Sequence, residues 1–182
     1  KNPYKIEDGY LTIPKKPGLG FRDVFVENAT MSGGTNEPEA RRVIELLKEH
    51  FATYFDGKVL KESVGVVTFG ESQMKYIEKL IASDKELKNA IETAQSNRSE
   101  EDTPERVFFI KTIEKVQGQE TDHLILSVTY GVNKDGDYSS SFAQLSRGSD
   151  NLGKRIFNVA VTRAKSSITV VHSIRAENIK EG

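Results

Sequence analysis

The 182-residue chain is 36% hydrophobic and 29% charged, with a formal net charge of −1, which excludes a disordered polyelectrolyte and leaves apolar side chains for one sizeable core. No run approaches the ~18 apolar residues of a membrane span and no charged-then-apolar leader opens the chain, so neither a membrane association nor a secretion signal is expected. The lack of cysteine excludes disulfides and thiolate metal sites and suits a reducing, cytoplasmic compartment, while near-neutral charge means that any grip on nucleic acid is local or shared with another domain.

Residues 1–20 hold Pro3, Pro14, Pro17, Gly9, Gly18 and Gly20 without periodicity, and are read as an irregular lead-in from an upstream region. The start at Lys1 reads as a piece of something longer. Phe21 to Glu27 suits a strand and Met31 to Thr35 a glycine-bearing loop. Asn36 is an N-cap with Glu39 three residues on as a capping box, and Pro38 is tolerated in the first turn. Ala40, Val43, Ile44, Leu47 and Phe51 form the apolar face of the helix that follows.

Ser63 to Phe69 is an apolar run of the kind expected of a parallel strand buried on both faces. Met74, Ile77, Leu80 and Ile81 mark one helix, and Leu87, Ala90, Ile91 and Ala94 another. After a polar loop over 96–105, Val107 to Lys111 is a strand, Thr112 to Thr121 a turn-rich connection, and His123 to Thr129 a further strand. Gly131 to Leu152 is a long polar loop, Gly153 to Lys165 a helix, Ser167 to Ile174 a last strand, and 175–182 a tail. Strands alternating with helices imply a mainly parallel α/β sheet covered on both sides over 21–174, with ligands beyond the carboxyl ends of its strands. Thr68, Thr112 with Gly118–Glu120, and the helix at 153 are the places to look.

On that helix Phe157, Ala160, Val161 and Ala164 share an apolar face, and Arg155, Asn158, Thr162 and Lys165 a polar stripe, at ~100° per residue. Arg163 fits neither. One reading packs its stem on the core and leaves its head in water. Gly148 to Arg155 nearly matches the phosphate-binding pattern G-x-x-x-x-G-K-S/T, but Arg155 replaces the hydroxyl that would hold Mg²⁺ and no strand precedes it. Gly118 permits a tight turn, and Glu120, read as the start of a short helical turn, is either a capping carboxylate or an acceptor for sugar hydroxyls. His50, His123 and His172 lack metal-ligand spacing, His123 and His172, which flank strands, are read as structural, and Asp135, Gly136 and Asp137 lack the acid that would complete a calcium loop.

Val116-Gln-Gly-Gln-Glu120, with Asp122 and the strand after it, resembles motif V of superfamily 1 helicases, and Arg155 to Lys165 resembles motif VI. Val64 to Gln73 is similar to the strand-and-glutamine segment of the same group, and Gly34 to Ala40 to its Asn-x-x-Glu-Ala helix start. Phe142 to Ser146 is a weakened counterpart of a family loop. The resemblance is greatest to large bacterial helicase-related proteins of the nonsense-decay-helicase-like branch and covers about 21–174.

This resemblance implies a RecA-like three-layer sandwich, a P-loop NTPase-type fold without its own P-loop, forming the second motor domain of an ATP-dependent DNA or RNA helicase or translocase. It implies that Arg163 reaches the γ-phosphate, that Glu120 meets the ribose beside Gly118 and Gln119, and that Arg155 adds phosphate or structural contacts. Thr68, Gln73, Thr112 and Thr162 match positions toward single-stranded nucleic acid. Gln119 stands where the family has Arg or Asp, Ile156 replaces a second motif VI Arg, and Gly70 replaces a frequent aromatic. No Walker A loop or Walker B acid pair is present, so ATP and Mg²⁺ would be held mainly by an upstream RecA-like domain of the same polypeptide, and this piece alone would be inactive. The alternative is a catalytically silent RecA-like module that binds nucleic acid or protein.

Overall fold

The computed structural model describes residues 5–7, 10–12, 20–100, 102–133, 136 and 158–174. In chain order, a short antiparallel hairpin of β1 (Lys5–Glu7) and β2 (Tyr10–Thr12) comes first, inside the stretch read as irregular. Then follow β3 (Gly20–Phe25), a second hairpin of β4 (Met31–Ser32) and β5 (Thr35–Asn36), and α1 (Glu37–Tyr54). The second hairpin replaces the expected loop because Gly33 (φ 60°) and Gly34 (φ 77°) supply both left-handed residues of a two-residue turn. Beyond it lie β6 (Val64–Thr68), α2 (Glu71–Ser83), α3 (Lys85–Ser96), α4 (Pro104–Val107), β7 (Phe108–Thr112), β8 (Thr121–Ser127) and β9 (Ala164–His172).

Five of the strands pair in the order β3-β9-β8-β6-β7, every pair parallel. Alternation along the strands sends Val64, Val66, Phe108, Ile125 and Val171 to one face, under Val43, Leu47, Ile77, Ile81 and Ile91 of α1, α2 and α3. Val67, Phe109, Leu124 and Leu126 face the other way, under Ile113, Val116 and Ala160, the last on a helical turn at 158–161. This is the RecA-like α/β arrangement. Each fully buried aliphatic side chain contributes about 1.5–3 kcal/mol. Gly65 is required within β6, because a Cβ there would stand 2.3 Å from the ring of Phe109.

The final helix ends earlier than its periodicity implies. Helical residues end at 161, and Ala164 and Lys165 already belong to β9, so Arg163 lies in the turn between the two. The apolar spacing of Ala160 and Ala164 comes from a helix end and a strand start that border the same core cluster. Among the described residues no helix is long and apolar enough to cross a membrane.

Candidate nucleotide and nucleic-acid edges

Among the described residues singled out from the sequence, those at strand ends fall on two opposite edges of the sheet. Glu120 is the residue before Thr121, which opens β8, and Arg163 is the residue before Ala164, which opens β9. Thr121 and Ala164 are register partners, and the Thr121 N–H donates to the Arg163 carbonyl at 3.0 Å. Parallel pairing therefore brings Glu120 and Arg163 together at the amino edge. Thr68, Thr112 and Ser127 end β6, β7 and β8 in mutual register at the carboxyl edge. The length of β8, at about 3.3 Å per residue, separates the edges by roughly 20 Å. The expectation that Gly118–Glu120 lie with Thr112 beyond the carboxyl ends of the strands is thus corrected, and residue 153, where the last helix was expected to begin, lies outside the described residues.

From the end of β7 at the carboxyl edge the chain crosses to the amino edge through two tight turns, with Lys115 N–H donating to the Thr112 carbonyl at 2.9 Å and Gln119 N–H to the Val116 carbonyl at 3.1 Å. Gly118 takes φ 83°, the left-handed conformation that its lack of a Cβ permits. Glu120 is then exposed and outside any helix, not the start of a helical turn, because β8 begins at once. Lys165, on the second residue of β9, reaches Glu120 at 3.9 Å across open solvent. An exposed pair of this kind is worth at most about 1 kcal/mol, so both groups stay available to a ligand.

Half-buried Arg163 folds back on its own turn. Its Nε donates to the Val159 carbonyl at 2.9 Å and its Nη2 to the Thr162 hydroxyl at 3.1 Å. A cation over the last carbonyls of a helical turn is favoured by the turn's dipole. Thr162 in turn donates to the Val159 carbonyl at 2.9 Å. Its grouping with Thr68 and Thr112 is corrected: it sits beside Arg163, at the other end of the sheet. A cavity of about 740 Å³ adjoins this edge, lined by Lys61, Arg106, Gly118, Gln119, Glu120 and Lys165 among others. Asp122 borders it. Ser63 donates to it from N–H (2.8 Å) and hydroxyl (2.7 Å). Against the desolvation that raises it, these bonds hold its carboxyl below the usual range. Arg155, the near-P-loop at 148–155 and the 142–146 counterpart lie outside the described residues.

The carboxyl edge is built differently. Thr68 is fully buried and its hydroxyl donates to the Gly70 carbonyl at 2.9 Å. Gln73, expected to face nucleic acid, is also fully buried. Its Oε1 accepts from Asn36 N–H (2.8 Å), and its Nε2 donates to the Asn36 carbonyl (3.0 Å) and the Ser127 hydroxyl (3.1 Å). With its amide committed, Gln73 staples α2 to the start of α1 and does not reach outward. Thr112 is the exception. At 6% exposure, its hydroxyl has no hydrogen-bond partner among the described residues.

Beneath this edge lies a carboxyl group that the capping-box pattern only half identifies. Asn36 caps α1, its side chain accepting from Glu39 N–H at 3.2 Å. The reciprocal bond is missing because Gln73 takes the Asn36 N–H. The Glu39 side chain turns inward to full burial. There it accepts from Thr129 N–H (2.7 Å), the Ser173 hydroxyl (2.9 Å), the Asn36 amide (3.0 Å) and the Ser127 hydroxyl (3.2 Å). Burial pushes its pKa up to about 7, against the donors from Thr129, Ser173 and Ser127, which pull it down. The sequence signal was an acid immediately before the buried Ala40.

His123 bonds Glu62 through Nε2 and the Ser167 hydroxyl through Nδ1, and His172 bonds Asp23 and the Ile174 carbonyl. Among the described residues no cluster of three or more His, Cys, Asp or Glu side chains is placed to hold a metal ion.

A family model described as an AAA domain matches residues 10–175. An uncharacterised ATP-dependent helicase of Mycoplasma genitalium is 33% identical over 180 residues, 96% of this chain and 15% of that protein. Its homologue in Mycoplasma pneumoniae is 31% identical over 163 residues, 86% of this chain and 13% of that protein. The chain therefore spans a small part of these relatives. Among solved structures, the C-terminal domain of a possible DNA helicase from Lactobacillus plantarum aligns with 86% of this chain and 74% of its own, at a TM-score of 0.44 and 10% identity. The chain belongs to the AAA domain family.

Proposed function

We propose that this chain is the C-terminal motor domain of an ATP-dependent superfamily 1 DNA or RNA helicase or translocase, working across a cleft against an upstream RecA-like domain of the same polypeptide. One observation carries the reading: Glu120 and Arg163 meet at the amino edge, while the Thr112 hydroxyl, without a partner among the described residues, lies at the carboxyl edge. A motor needs both, one surface for nucleotide and one for the strand it moves. Glu120 is suited to accept from ribose hydroxyls, with Gly118 and Gln119 shaping the turn beside it. Arg163, released from Val159, would stabilise charge on the γ-phosphate. Thr112 would donate to a backbone phosphate without reading a base, supported from behind by Thr68 and Gln73.

The residues present fit the sugar and the γ-phosphate end of ATP and nothing between. Mg²⁺ and the grip on the β-phosphate would come from the upstream domain. ATP would supply closure of the two domains, and hydrolysis their release, as in other hinge-closing machines.

The test is Arg163→Ala in the full-length protein. Hydrolysis should fall by about 10³-fold or more while ATP binding stays within a few-fold of wild type. A wild-type hydrolysis rate would sink the arginine assignment.

A further inference from the structure

Glu39 draws donors from three separate places: Asn36 at the start of α1, Ser127 and Thr129 at the exit of β8, and Ser173 after β9. Two backbone features conform to it. Thr129, a β-branched residue, is held at φ 73°, a conformation such residues rarely adopt, with its N–H aimed at Glu39. Gly131 passes so close to Ser173 that a Cβ there would lie 2.6 Å from its hydroxyl. An apolar side chain at position 39 would fill the same space without the desolvation that a buried carboxyl suffers. Directional bonds at the meeting point of three segments specify geometry in a way that an apolar contact does not.

That geometry belongs to the carboxyl edge. Ser127, bonded to Glu39, is the register partner of Thr68, which is the register partner of Thr112. Gln73 bonds Ser127 and both backbone groups of Asn36, so the network also fixes the first turn of α2, which packs over β6 and β7.

We propose that Glu39 is a positioning residue for nucleic-acid binding: through Asn36, Ser127, Ser173 and Gln73 it holds the strand ends and the first turn of α2 where Thr112 can meet a backbone phosphate. The inference rests on the reading of the carboxyl edge as the strand-binding surface.

Glu39→Gln tests it by chemistry. The new amide can accept from Thr129, but its NH₂ then faces the Asn36 NH₂, which cannot turn away without losing the cap bond to Glu39 N–H. Adding Asn36→Asp gives that NH₂ an acceptor and keeps a good cap. Binding of fluorescently labelled oligothymidylate and oligouridylate by the full-length protein is measured by anisotropy, at a temperature where circular dichroism shows each variant folded. Glu39→Gln should weaken binding roughly tenfold, and Asn36→Asp with Glu39→Gln should restore most of it. Should Glu39→Gln not fold, Ser173→Ala, which removes one donor, should weaken binding by about threefold. Thr112→Val runs in parallel. If it weakens binding while Glu39→Gln does not, the positioning role is wrong. If neither does, the reading of the carboxyl edge fails and takes the inference with it. A loss that the paired substitution leaves uncorrected marks a general disturbance of the fold and also overturns the proposal.

Discussion

The N–H of Thr121 donates to the carbonyl of Arg163 at 3.0 Å, so the residue that follows Glu120 is fastened to Arg163 itself. Two side chains 43 positions apart in the sequence thereby share one edge, because β8 and β9 are parallel and each begins one residue later. If that edge meets the sugar of a nucleotide, Glu120→Ala should raise KM for ATP roughly tenfold and leave kcat within twofold, since ribose contacts are alike in ground and transition states. Steady-state kinetics of the full-length protein with ATP and with 3′-deoxy-ATP provide the check. The variant should no longer distinguish the two, and an unchanged preference would remove Glu120 from the site.

Thr112 offers a test in which stability and binding move in opposite directions. Its buried hydroxyl lacks a partner among the described residues, so Thr112→Val replaces an unsatisfied polar atom with a methyl group of similar shape. Urea unfolding should show a gain of about 1 kcal/mol, because the desolvation penalty is lifted and valine suits a strand. Affinity for single strands should fall at the same time. A destabilised variant with unaltered affinity would mean that the hydroxyl has a partner in solution and no role in binding.

How much of this was legible in the sequence follows from the range of the forces involved. The apolar runs at 63–69 and 123–129 and the helical faces of α1, α2 and α3 report burial, which acts residue by residue, and the structure places β6 at Val64–Thr68 and β8 at Thr121–Ser127, within two residues of those runs. The last helix misled because Ala160 and Ala164 border one core cluster from different elements, so a shared environment mimicked a helical period. The assignment of edges went astray for a related reason. Spacing along the chain does not say at which end of a strand a loop emerges, and Glu120 and Thr112, eight positions apart, lie on opposite edges. Glu39 and Gln73 were legible as polar residues of interest but not as buried ones, since their partners at 127, 129 and 173 are set by topology alone.

Gly65 carries a prediction about the core. The Phe109 ring lies where a Cβ would go, at 2.3 Å, and β6 is the strand between β7 and β8, so neither backbone nor ring can retreat easily. Gly65→Ala should cost about 2–3 kcal/mol by overpacking, read as a lower urea midpoint with an unchanged slope. Adding Phe109→Leu should recover part of that loss by clearing the ring, and a single variant as stable as wild type would contradict the packing described here.

Glu39 makes stability depend on pH in an unusual direction. Burial raises its pKa from 4.5 to about 7 in the folded chain, while the unfolded chain keeps the ordinary value. Below 4.5 the group is protonated in both states and contributes no pH dependence. Between 4.5 and 7 the unfolded state releases a proton that the folded state retains, so stability falls as pH rises, and above 7 the loss levels off. A displacement of this size is worth about 3 kcal/mol. Other carboxyls push the opposite way, Asp84 among them, held low by Lys48, so the signal lies in a difference between proteins. Glu39→Gln has no proton to release. Its stability relative to wild type should therefore climb by about 3 kcal/mol between pH 4.5 and 7, measured by urea unfolding of both proteins across that window. A difference that stays flat would mean that the folded carboxyl titrates normally. A climb would show that the chain keeps a destabilising acid beneath its carboxyl edge.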